Sequence, residues 1–102
     1  MDGVKYLGEG VYMVKGKLIQ AHDRGMFSGE EGRKTLLSMV EHSLVRHKPF
    51  SEAGWSTYVP IVAFAGPNRP GGRYETAGMS RASKLPESVK SALRSEFPDL
   101  DL

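Results

Sequence analysis

The chain has 102 residues, 39% apolar and 25% charged, with a formal charge of +2 and a pI near 9.0. That amount of chain fits one domain, 1–102, which can fold without covalent staples. The sequence contains no cysteine, which excludes disulfides, thiolate metal sites and thiol nucleophiles.

The longest apolar run, Tyr58 to Ala65, falls far short of the ~20 residues that cross a bilayer. The opening residues Met1-Asp2-Gly3-Val4-Lys5 carry no apolar signal core. A cytoplasmic location and no membrane partner are the expectations.

The first predicted elements are two β-prone runs, Val11-Tyr12-Met13-Val14 and Leu18-Ile19-Gln20-Ala21, separated by Lys15-Gly16. A two-residue turn with glycine second suits a primed hairpin turn. Val14 then pairs with Lys17, Met13 with Leu18 and Tyr12 with Ile19. Both faces of this hairpin are apolar. One is expected under a helix and the other under a loop or a partner, which makes self-association, as a homo-oligomer, one reading of the hairpin.

Ser28-Gly29-Glu30-Glu31 has the pattern of a capping box. Leu36, Leu37, Val40 and Leu44 follow at helical spacing. Arg46, His47 and Lys48 fit a last turn, with Pro49 as the stop, so the spacing predicts a helix over 29–48. Trp55 to Ala65 reads as a strand rich in Val59, Ile61, Val62 and Phe64, with Pro60 marking an edge or bulge. Trp55 at its start reads as a core or core-edge residue.

Gly66-Pro67-Asn68-Arg69-Pro70-Gly71-Gly72-Arg73 forms neither helix nor regular strand. Arg73-Tyr74-Glu75-Thr76 can be a short strand, and 66–84 as a whole reads as a flexible basic loop region. A last helix begins at Pro86-Glu87 with Val89, Leu93 and Phe97 on one face, and Pro98 ends it. The acidic tail 98–102 is expected to fray. The order is ββαβ(β)α. It predicts an α+β domain with a small antiparallel or mixed sheet and helices on one face.

The chemistry-bearing residues point first to the basic region. Arg69, Arg73, Arg81 and Lys84 stand against the single acid Glu75, with Tyr74 among them. Arginines bind phosphates and a tyrosine ring stacks on a base. The leading expectation is therefore a small non-enzymatic binding protein for nucleic acid, RNA included, or for another anionic ligand. Its site residues are Arg69, Arg73, Tyr74, Arg81 and Lys84. Gly78-Met79-Ser80-Arg81 could also wrap backbone N–H groups around an anion.

The alternative is a protein-interaction or self-assembling accessory or inhibitor module, drawn from the two-sided hairpin and five methionines. A second alternative is a small enzyme or small-ligand binder using His22, Asp23 and His42. His42 and His47 are five apart and there is no H-E-x-x-H motif. No metal and no cofactor are expected, and no serine lies in a nucleophile elbow.

Overall fold

The computed structural model describes residues 3–41, 47–65 and 73–102. Its elements are β1 (Val4–Gly8), β2 (Val11–Val14), β3 (Lys17–Ala21), α1 (Gly29–Glu41), α2 (Phe50–Ala53), β4 (Tyr58–Ala65), β5 (Arg73–Arg81) and α3 (Glu87–Glu96). Short 3-10 turns, Gly54–Ser56 and Ala82–Lys84, precede β4 and follow β5. The strands form one sheet in the order β1-β2-β3-β4-β5. Among the described residues only the β3–β4 pair is parallel. The mixed α+β sheet expected from the sequence is thus present.

The central hairpin has the anticipated register, with Val14 opposite Lys17, Met13 opposite Leu18 and Tyr12 opposite Ile19. Lys15 at φ 51° and Gly16 at φ 85° make the turn a primed one, whose twist matches the flanking strands. All four β2 residues are buried, because the helices cover both faces of the sheet rather than one. Tyr12, Val14 and Ile19 pack with Leu36 and Met39 of α1. Val11, Met13 and Leu18 pack with Phe50 of α2 and Val89 and Leu93 of α3. Successive strand residues face opposite ways, so a hairpin apolar on both faces takes a helix on each. Tyr12 and Ile19, expected at a self-association surface, lie inside a single chain.

Five further expectations change. β1 was not foreseen. Its register shifts between Tyr6 and Gly8, so Leu7 bulges, and Val4 and Leu7 enter opposite cores without a period-2 signature. The first helix does not extend to Lys48, since 47–49 are not helical and Pro49 disfavours helical backbone just before it. Within α1, Leu36 and Met39 are buried, with Leu37 and Val40 packed at the margin; Leu44 lies outside the described residues.

The strand expected from Trp55 starts instead at Tyr58, after α2 and its 3-10 turn. Fourth, Arg73–Arg81 is a nine-residue edge strand, not part of a loop. Ile61 faces Gly78 and Val62 faces Thr76, so Ala77 is a bulge that breaks the alternation. Last, Leu100 and Leu102 of the tail fold back onto the α3-side core, their N–H groups donating to Phe97 and Leu100 carbonyls.

Gly32 fixes how α1 approaches the sheet. A Cβ there would lie 1.9 Å from the Phe27 carbonyl oxygen, a clash no side chain can relieve. Phe27 is consequently clamped between α1 and the sheet, 98% buried by its 2% exposure.

Candidate functional site

β5 carries the expected basic residues to two ends of the sheet. Nine residues of strand extend ~26 Å end to end, and Arg73 and Arg81 are its termini. Arg69 lies outside the described residues. Tyr74 is partly buried, its ring 5.3 Å from Phe27 and 5.1 Å from Phe64. It belongs to an aromatic row that continues through Tyr12 to Tyr6. Gly78-Met79-Ser80-Arg81 is extended backbone rather than an anion-binding turn. The expected set is therefore divided: Arg73 and Tyr74 at one end, Arg81 and Lys84 at the other.

At the Arg73 end the polar groups are engaged. A cleft of about 330 Å³ is bordered by Tyr6, Tyr12, Arg24 and Arg33. Arg24 is ion-paired with Glu9, Arg33 donates to the Val4 carbonyl at 3.3 Å, and the Tyr6 hydroxyl accepts the Gly10 N–H at 3.1 Å. Burial pushes the Tyr12 phenol up, its neighbour Tyr6 adds to this, and Arg33 opposes both. His22 Nδ1 is 3.6 Å from Asp23 Oδ1, and both side chains are exposed. His42 lies outside the described residues. Among the described residues no group of three or more His, Cys, Asp or Glu is placed to hold a metal.

The Arg81 end differs. Arg81 lies over the Tyr58 ring, 4.2 Å from its centroid. One of its nitrogens donates to the Tyr58 hydroxyl at 2.8 Å and another to the Ser56 carbonyl at 2.9 Å. The Gly54–Ser56 and Ala82–Lys84 turns pack on each other, which brings Lys84 alongside. Lys90 Nζ and the Arg94 guanidinium lie 5.6 and 5.5 Å from the Trp55 ring centre. That ring meets Phe50 edge-on at 5.4 Å, so Trp55 is a core-edge residue, as its sequence context implied. Lys48, Arg81, Lys84, Lys90 and Arg94 thus lie along this end, with Arg94 ion-paired to Glu87 at 2.9 Å.

Here too is a cavity of about 280 Å³ lined by His47, Lys48, Ala53, Ser56, Thr57 and Tyr58. Thr57 is only 1% exposed. Its backbone is held on both sides, its N–H donating to Gly54 at 3.0 Å and its carbonyl accepting from Ala82 at 2.9 Å. Among the described residues its hydroxyl nevertheless has no hydrogen-bond partner, and neither does His47 Nε2, although both atoms are buried. A buried polar atom left unpaired costs about 1–3 kcal/mol, and both residues border one cavity.

The half-buried His47 ring is held below the usual histidine range by burial and by the Lys17 charge; a hydrogen bond to the Leu18 backbone opposes them. Because Nε2 is unpartnered, that bond belongs to Nδ1, which donates to the Leu18 carbonyl. Nε2 of the neutral ring is then an acceptor closed off from solvent. The cavity itself offers the Tyr58 ring as a wall, with Lys48 and Arg81 beside it.

Neither His47 nor Thr57 stands out in the sequence. His47 reads as helix-end charge and Thr57 as an ordinary strand residue. The Lys48-Pro49 pair was the one local signal that His47 leaves the helix. No protein-family model, curated protein or solved structure matches this chain.

Proposed function

We propose that the protein is a non-enzymatic binding module for single-stranded nucleic acid, engaged at the end of the sheet where β4 begins and β5 finishes. The observation that carries this reading is the interleaving of cations with aromatic rings there: Arg81 on Tyr58, Lys90 and Arg94 at Trp55, and Lys48 and Lys84 beside them. Guanidinium and ammonium groups neutralise phosphates, while aromatic faces accept bases without regard to sequence. Tyr58 is 47% exposed, leaving ring surface for a ligand. Arg81 and Lys84 keep the role expected of them; Arg73 and Tyr74 would contribute only to a strand long enough to follow β5.

The test is a salt titration of binding to a labelled single strand. Each phosphate contact removed should lower the log–log slope by about 0.7. Lys48→Ala/Lys84→Ala should flatten the slope by about 1.4 with the melting temperature unchanged, whereas Arg73→Ala should alter it least. A wild-type chain that binds no DNA or RNA at low salt would end this reading.

A protein-interaction module is the second reading, now favoured by the β5 edge rather than by the hairpin. β5 is the long outer strand and its Met79 is 56% exposed, a surface on which an extended peptide could add a strand. It ranks second because the Ala77 bulge interrupts the ladder edge, a feature that blunts such pairing.

A further inference from the structure

We infer that the cleft bordered by Tyr6 and Tyr12 binds the oxyanion group, carboxylate or phosphate, of a small molecule, with the Tyr12 hydroxyl as its buried donor. The site is separate from the nucleic-acid surface and lies on the face of the sheet that α1 covers. Tyr12 is the exception among the engaged polar groups there. Its side chain is nine-tenths buried, at 8% exposure. Among the described residues its hydroxyl has no hydrogen-bond partner. Nor is it closed off from solvent, as His47 Nε2 and the Thr57 hydroxyl are; it opens on the cleft that Tyr12 lines. Burial pushes the phenol up, so at neutral pH it keeps the proton it has to donate.

The other polar side chains of the lining are donors as well. The Tyr6 hydroxyl accepts the Gly10 N–H at 3.1 Å, which leaves its own proton to give. Arg24 uses one nitrogen on Glu9, and a guanidinium has further N–H donors. Arg33 lies near enough for its charge to act on the Tyr12 phenol. Ser28 and Gly29 form the side where α1 begins, and the first turn of a helix favours negative charge. Glu30 and Glu31 belong to that turn, but they are exposed and outside the lining. Among the described residues no carboxylate lines the cleft. Converging donors without an opposing carboxylate fit an oxyanion, and a volume of about 330 Å³ suits a small molecule rather than a strand.

The experiment titrates isotopically labelled protein with inorganic phosphate and, separately, with benzoate, at constant ionic strength. Amide and tyrosine-ring shifts are followed by NMR. At least one anion should give saturating shifts at Tyr12, Ser28 and Gly29, with a Kd in the millimolar range or below. Phosphate alone assigns a phosphorylated ligand, benzoate alone a carboxylate, and both the oxyanion chemistry they share. Tyr12→Phe keeps the ring and removes the donor. It should weaken binding about tenfold while the melting temperature stays the same, because the hydroxyl has no partner in the free protein. Lys48→Ala/Lys84→Ala, at the other end of the sheet, should leave this binding as it is.

No saturation with either anion overturns the site, and that measurement needs only the wild type. A Tyr12→Phe variant that melts and binds like the wild type also overturns it. So do saturating shifts confined to residues around Arg81, which belong to the nucleic-acid surface. Failure of the nucleic-acid reading leaves this site standing, since its residues and its ligand are different.

Discussion

The two ends of the sheet use similar residues in opposite ways. At the Arg73 end, aromatic rings pack on one another in a row from Tyr6 to Phe64, and Arg24 is neutralised by Glu9. At the Arg81 end, aromatic rings meet cations, and two buried polar atoms of one cavity stay unpaired. Both ends hold tyrosine and arginine, so composition does not separate them. Each end pairs one arginine with a carboxylate, Arg24 with Glu9 and Arg94 with Glu87; what separates them, among the described residues, is the stacking of cations on rings and the two unpaired buried atoms at the second end.

The largest test of that contrast acts through Phe50. It is fully buried, joins Trp55 at 5.4 Å and Phe97 at 5.3 Å, and anchors the segment running from His47 to Tyr58. Phe50→Ala should cost about 3–5 kcal/mol, read by denaturant unfolding. Amide exchange should show the Arg81 end opening before the Arg73 end. Uniform loss of protection at both ends would mean that the two are one cooperative unit and that the contrast is only chemical.

Thr57→Val should act in the opposite direction. Removing a buried hydroxyl without a partner, at constant shape, should leave stability unchanged or raise it by about 1 kcal/mol. A loss of more than about 1 kcal/mol would show that the hydroxyl is satisfied in the folded protein, erasing the difference between the ends.

The smallest expected effect is on pH dependence. The His47 pKa is lowered on folding from an unfolded value of 6.5, so the unfolded chain takes up its proton first. The stabilising contribution of the neutral ring is therefore present above pH 6.5 and is lost as pH falls from there through the folded pKa. His47→Gln should remove that part of the slope in melting temperature against pH, whereas His22→Gln, at the other end and exposed, should leave it in place. Equal effects of the two substitutions would deny His47 its special environment.

Much of the fold was legible in local pattern. The Lys15-Gly16 turn set the register of the central hairpin, because a primed turn permits one pairing. Pro86, Val89, Leu93 and Pro98 marked α3, where helical spacing and two prolines agree. β1 was hidden because Val4 and Leu7, three apart, face two different cores, so its few residues show no apolar alternation; the length of β5 was hidden because the bulge at Ala77 shifts its side chains by one position. The site was legible only in part. Arg81 and Lys84 belonged to a visible basic stretch, but nothing local links them to Lys48, Lys90 or Arg94.

Periodicity and turn chemistry act over a few residues, and they suffice to specify a mixed α and β domain with a hairpin apolar on both faces. Long-range packing decided which helix covers which face, and therefore that the hairpin is interior. It also decided that His47 and Thr57 meet at one cavity. The α2 helix and its 3-10 turn fold the chain between them back on itself. The parallel β3–β4 pairing, Gln20 beside Ile61 and Ala21 beside Val62, needs a long crossover, so the residues it joins lie far apart in sequence and no local pattern records their contact.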